Sequence, residues 1–173
     1  MALVLGRKVP GFTLPSDGGG EVSLSSLEGR AAVLFFYPKD DTSSCTLEAI
    51  DFSAKMPEFD KIGVFVAGIS PDGAKKHGKF RVKHGLSVKL LSDETKQFIS
   101  ACGLWVEKSM YGQKYMGVER TTVLVDRSGT AARIWAKVKV PGHADEVLAA
   151  ARELAAQLGG NLAQSGTNPG KNH

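Results

Sequence analysis

With 173 residues, 42% of them hydrophobic and 23% charged, the chain has the length and composition of one globular domain, which excludes a disordered, collagenous or coiled-coil protein. Its net charge of +4 comes from 22 Lys and Arg scattered among 18 acids, not from the concentrated basic face that nucleic-acid binding requires. Two cysteines, Cys45 and Cys102, are too few for a disulfide framework.

In chain order, Phe12–Leu14 and Glu21–Leu24 read as short strands around the turn-forming stretch Ser16–Gly20. Ser25-Ser-Leu-Glu28 fits a capping box and predicts one helical turn ended by Gly29. The continuous apolar run Ala31–Tyr37 predicts a strand buried on both faces, stopped by Pro38. It is also the longest such run, far short of the roughly 20 residues a membrane-spanning helix needs. After a polar loop, helical spacing begins at Cys45 with Leu47, Ile50 and Ala54, and Pro57 is placed to begin a second short helix.

The pattern then repeats. Val64–Ile69 reads as a buried strand, Asp72–His84 as a cationic helix closed by Gly85, and Val88–Leu91 as a short strand. A helix over Glu94–Cys102 is closed by Gly103, and Glu119–Asp126 and Thr130–Lys139 form two strands joined by a turn. Ala144–Leu158 is a long amphipathic helix with Val147, Leu148, Ala151, Leu154 and Leu158 on one face. Strands alternating with helices predict an α/β fold, a central mixed sheet sandwiched by helices. The domain is expected to span residues 1–158. Residues 159–173 lack a packable apolar face and are expected to be a disordered C-terminal tail. Arg7 and Lys8 follow the first apolar stretch instead of preceding it, the reverse of a secretory signal, so a cytoplasmic location with reduced thiols is expected.

Cys45 follows a buried strand and its polar loop and stands in the first turn of a helix. Free backbone N–H groups and the positive end of the helix dipole favour a thiolate there. Thr42 and Ser43 are placed to cap that helix or to donate a hydroxyl to a bound oxygen, and Pro38 fixes the strand exit. By position alone Cys45 is equally an inert, small apolar residue at a strand–helix junction.

Pro38-Lys-Asp-Asp-Thr42-Ser-Ser-Cys45 satisfies the P-x-x-x-T/S-x-x-C signature of peroxiredoxins, and the run Phe35–Ala49 resembles their bacterioferritin-comigratory, or PrxQ, subfamily. Val9–Pro15, Gly68–Asp72, Leu90–Asp93, Gly103–Trp105 and Gly117–Thr122 match further landmarks of that family, so the resemblance covers roughly residues 3–155. It implies a decorated thioredoxin-like fold and a thiol peroxidase without metal or organic cofactor. Cys45 would attack hydrogen peroxide or an organic hydroperoxide and become a sulfenic acid. The resemblance makes Arg120 the guanidinium over the thiolate, Thr42 the hydroxyl that holds the peroxide, and Glu48 the carboxylate that positions the arginine.

The chain also departs from the subfamily. Ile50 occupies the position five residues after Cys45 where many members carry a resolving cysteine, and Lys79–Lys83, the second usual region, contains none. Cys102 shares a helix face with Phe98 and Ile99, which points to core packing over a resolving role. A one-cysteine cycle follows, with thioredoxin, glutaredoxin or glutathione as external reductant and a monomer or weak dimer as the expected state. The absence of C-x-x-C counts against a disulfide reductase, and a non-enzymatic redox sensor or chaperone-like binder is the rival from another class. The stretch Gly73–Lys79 formally begins a phosphate-binding loop, but Phe80 replaces the Ser/Thr that magnesium needs. His77 and His84 are read as a solvated face, His143 and His173 show no partner pattern, and Trp105 with Tyr111–Tyr115 reads as a satellite cluster or a partner groove.

Overall fold

The computed structural model describes the backbone of residues 2–167 and the side chains of 2–157. In chain order it contains β1 (Thr13–Pro15), β2 (Glu21–Ser23), a 3-10 turn (Ser25–Leu27), β3 (Ala32–Phe36), α1 (Ser43–Lys61), β4 (Phe65–Ser70), α2 (Ala74–His84) and β5 (Lys89–Ser92). There follow α3 (Gln97–Ala101), β6 (Trp105–Met110), β7 (Gln113–Val118), β8 (Thr121–Val125), β9 (Ala131–Trp135) and α4 (His143–Thr167). A five-stranded sheet of order β5-β4-β3-β8-β9 forms the centre. β4 is parallel to β3 and to β5, whereas β8 is antiparallel to β3 and β9, so the sheet is mixed as expected.

The strand at the middle explains its own sequence. Every residue of β3 is buried, and alternation divides the run between two cores. Val33, Phe35 and Tyr37 face a cluster built with Cys45, Phe52 and Phe59 of α1, Phe80 of α2 and Val147 and Ala151 of α4. Ala32, Leu34 and Phe36 face the opposite side, against Phe12, Phe98, Ile99 and Cys102. Gly68 on β4 lies under the aromatic stack, where a Cβ would come within 2.7 Å of the Phe35 ring.

Three local expectations change. Pro57 does not start a helix but lies inside α1. It has no N–H for the Ser53 carbonyl, and the Ser87 hydroxyl takes that place at 3.1 Å. The Ser53 hydroxyl in return accepts from the Ser87 and Val88 N–H groups. The capping box forms two residues earlier than read: Ser23 Oγ accepts the Ser26 N–H while Ser26 Oγ accepts the Ser23 N–H. α3 is shorter than Glu94–Cys102 because Lys96 adopts a left-handed conformation, φ 63°, before it.

The hairpin β6–β7 escapes a sequence reading altogether. Its turn, Tyr111-Gly112, has positive φ at both positions, where Asn-Gly is the usual signal, and its strands are largely exposed and lack alternation. α4 continues from the expected Leu158 to Thr167, and residues 168–173 of the expected tail, His173 among them, lie outside the described residues. Among the described residues no helix is long and apolar enough to cross a membrane.

Candidate active site

Strand β3 delivers the chain to a tightly held loop. Tyr37 donates its hydroxyl to Asp40 Oδ1 at 2.6 Å, and Asp40 Oδ2 lies 2.6 Å from His77 Nδ1. The Asp40 N–H donates to Asp72 Oδ2. His77 Nε2 donates to the Leu91 carbonyl, so α2 and β5 together grip the loop. Burial first, and then the negative charge of Asp40, raise the Tyr37 pKa well above its usual value. Asp41 stands at φ 64°, and Lys83 and His84 hold its carboxylate from the end of α2.

His77 is therefore no part of a solvated face. It is fully buried on the inner side of α2, where both of its ring nitrogens have partners. Asp40, Asp72 and His77 place ligand-type atoms within 4.8 Å of one another, but those atoms are already engaged with Tyr37, Ser70, Lys76 and the Asp40 backbone. His143 likewise has partners: its Nε2 lies 2.8 Å from Thr122 Oγ1, and its ring meets Phe52 and Trp135 edge-on. Burial lowers its pKa. The Gly73–Lys79 stretch is the start of α2, not a phosphate loop.

Thr42 occupies the N-cap position with an extended backbone, but its side chain does not cap the helix as expected. Its hydroxyl donates to the Lys39 carbonyl at 3.1 Å. Pro38 is half-buried just past the end of β3. Cys45 is in the first turn of α1 and only 1% exposed. Glu48 stands one turn further on the same face, also 1% exposed. Arg120 enters from the short link between β7 and β8. Its Nη1 donates to Glu48 Oε1 at 2.6 Å and its Nη2 to Cys45 Sγ at 3.2 Å. The Arg120 side chain is 15% exposed, so solvent reaches part of it.

Burial raises the Glu48 pKa to about 7, against the opposing pull of Arg120. For Arg120 burial acts downward, but the negative charges of Glu48 and Cys45 outweigh it and raise its pKa. Residues 72 and 75 positions away in sequence thus become contacts of one guanidinium. Lys108 of β6 belongs to the same surroundings and was not legible in the sequence. Its Nζ donates to the Val118 carbonyl at 2.5 Å, and burial together with the charge of Arg120 lowers its pKa. Gly117 leaves it room, since a Cβ there would approach Lys108 Cδ to 3.3 Å. Of the aromatic residues on this hairpin, Tyr111 is 98% exposed at the turn, while Trp105 packs against the cluster of Phe12, Phe98 and Ile99.

Cys102 follows α3 on the far side of the sheet and is 2% exposed. Burial, reinforced by the charge of Asp93, pushes its thiol pKa up to about 12.

A cysteine at a helix N-terminus, bonded to a guanidinium on a mixed sheet sandwiched by helices, defines a thiol-based redox protein of thioredoxin-like fold. The chain belongs to the AhpC/TSA family, whose model matches residues 5–134. It is 45% identical over 148 residues to a putative peroxiredoxin bcp of Coxiella burnetii, covering 86% of this chain and 98% of that one. It is 40% identical over 154 residues to peroxiredoxin Bcp of Bacillus subtilis, covering 89% and 98%. Among solved structures, one of the Xanthomonas campestris bacterioferritin comigratory protein, described for its alkyl peroxide reduction activity, superimposes with a TM-score of 0.79 at 42% identity, over 83% of this chain and 92% of that one.

Proposed function

We propose that the chain is a thiol peroxidase that reduces hydrogen peroxide and alkyl hydroperoxides, as the relatives named above suggest. The observation that carries the reading is the 3.2 Å contact from Arg120 Nη2 to Cys45 Sγ at the start of α1. A fixed guanidinium there favours the thiolate and stabilises charge on the departing oxygen. The sulfur lone pair attacks the distal peroxide oxygen, the O–O bond breaks, and the other oxygen leaves as an alcohol or water once it is protonated. Cys45 is left as a sulfenic acid, oxidised by two electrons. Thr42 supplies a hydroxyl to the bound peroxide after turning from Lys39, Glu48 aligns Arg120, and Pro38 sets the strand exit that brings the loop to Cys45.

The cycle is of the one-cysteine type. Cys102 is not its resolving partner; an external thiol attacks the sulfenic sulfur, releases water and leaves a mixed disulfide that a second thiol reduces. Thioredoxin, glutaredoxin and glutathione are the reductants to test. The functional unit is residues 1–158, acting as a monomer or weak dimer in the cytoplasm. No metal or organic cofactor is needed.

Intact mass after one equivalent of hydrogen peroxide, with and without a sulfenic-acid trap, tests this reading. A trap adduct on Cys45, and catalytic turnover once a thiol reductant is added, are the expected results. Stoichiometric oxidation without turnover would support a redox sensor instead, and no rapid oxidation would remove the peroxidase.

A further inference from the structure

One guanidinium serves two buried acids. Arg120 meets Glu48 Oε1 through Nη1 and Cys45 Sγ through Nη2, and both partners are only 1% exposed. Lys108 and the N-terminus of α1 also lie near the Cys45 sulfur, whereas the Glu48 carboxyl has the shared guanidinium as its cationic hydrogen-bond partner. Of the two acids, Glu48 is the one whose buried charge a proton would remove most directly. Glu48 Oε2, the oxygen that Arg120 does not hold, is buried and has no hydrogen-bond partner among the described residues. The burial that raises the Glu48 pKa to about 7 acts in the same sense, as does the nearby charge of Asp51.

Resting on the peroxidase reading, we propose that Glu48 stores the proton that the leaving oxygen of the peroxide takes up. In the balanced step, Cys45 thiolate, the hydroperoxide ROOH and the Glu48 carboxylic acid become Cys45 sulfenic acid, the alcohol ROH and the Glu48 carboxylate. The S–O bond forms as the O–O bond breaks, sulfur loses two electrons to the peroxide, and the proton passes from Oε2 to the departing alkoxide. Once the sulfur is neutral, Glu48 is the sole anionic partner of Arg120, and it regains its proton from solvent when the pH is below about 7, which readies it for the next turnover.

The other groups around the site are poorer sources. Arg120 is held charged more firmly than usual. Thr42 donates its hydroxyl hydrogen to Lys39, and Lys108 on β6 donates to the Val118 carbonyl. His143 of α4 is engaged with Thr122, and burial disfavours its protonated form. Asp51, a turn further along α1, has a carboxyl that burial raises, but it lies apart from the guanidinium contacts.

The test reads rate against pH. Reduced full-length protein is mixed in a stopped-flow instrument with one equivalent of tert-butyl hydroperoxide at pH values on either side of the Glu48 midpoint of about 7. Thiolate is measured at each pH by ultraviolet absorbance, and Cys45 oxidation by a sulfenic-acid trap. Per thiolate, the wild-type rate should fall about tenfold for each pH unit above that midpoint, as Glu48 loses its proton. Glu48→Gln, which keeps an acceptor for Arg120 but holds no proton to give, should be about 100-fold slower below the midpoint and should lack the fall. A wild-type rate per thiolate that stays level across the midpoint would overturn the proposal, as would the same fall in Glu48→Gln. If Cys45 is not oxidised at all, the peroxidase reading fails and this inference falls with it.

Discussion

Cys45 and Cys102 pack against opposite faces of the five-stranded sheet, the first with Phe35, Tyr37 and Phe52, the second with Phe12, Phe98 and Ile99. A disulfide needs Cα atoms within about 7 Å, which no side-chain rotation supplies across a sheet whose central strand is wholly buried. Burial also holds the Cys102 thiol pKa at about 12, so near neutral pH it offers little thiolate to attack a sulfenic acid. Cys102→Ala should retain Cys45 oxidation and turnover with an external thiol, at a stability cost of about 1 kcal/mol in urea unfolding. Turnover that disappears while the first oxidation survives would make Cys102 the resolving residue and require the sheet or α1 to open.

The two nitrogens of Arg120 reach two different partners, a fork that a lysine ammonium does not reproduce. Arg120→Met should slow the oxidation of Cys45 by roughly 100- to 1,000-fold, the range seen when a charge-stabilising donor is removed from an active site. Arg120→Lys should recover part of that loss. Stopped-flow measurement of the second-order rate with hydrogen peroxide decides. An unchanged rate in Arg120→Met would mean that the guanidinium serves folding alone.

Much of this site is legible in sequence because its parts are local: a buried strand, a proline, a polar loop, and a cysteine and glutamate one helical turn apart. Arg120 is not local. Nothing in periodicity brings it to Cys45, and only the family's landmarks point to it, whereas the pairing of β3 with β8 explains how it arrives. His77 misleads for a related reason. Its lysine neighbours suggest a solvated helix, yet helical geometry turns one face of α2 inward, where Asp40 and Leu91 satisfy both ring nitrogens. Pro57 misleads because the hydroxyl that compensates for it lies on Ser87, beyond the reach of local rules. Lys108 stays hidden because the hairpin that carries it has neither a usual turn signal nor a buried face.

The buried Asp40–His77 pair gives a third prediction. Asp40 is also bonded to Tyr37, so removing His77 leaves a buried carboxyl short of a partner next to the loop that ends at Cys45. His77→Leu should cost about 1–3 kcal/mol of stability, the range for leaving a buried polar group without its hydrogen-bond partner. Asp40→Asn, which keeps the shape and an acceptor for Tyr37, should cost less. Urea unfolding measures both. A His77→Leu variant as stable as the wild type would show that the pair does not hold the loop.

Glu48 leaves a mark on stability as well as on chemistry. Its pKa rises from 4.5 to about 7 on folding, so the unfolded chain ionises first as the pH increases. Its contribution to stability is fully present below pH 4.5 and is lost as the pH rises through about 7. At 1.36 kcal/mol per pKa unit the loss is about 3 kcal/mol. His143 acts in the opposite sense, since burial lowers its pKa and its contribution is lost as the pH falls. That effect is common to the wild type and to Glu48→Gln and cancels in their difference. Glu48→Gln should therefore gain stability relative to the wild type as the pH rises from 4.5 to about 7, with the difference level on either side of that window. Urea unfolding of both proteins across this range measures it. A difference that does not change with pH would mean that Glu48 is as ionised in the folded protein as in the unfolded chain, and that Arg120 alone meets the cost of burying it.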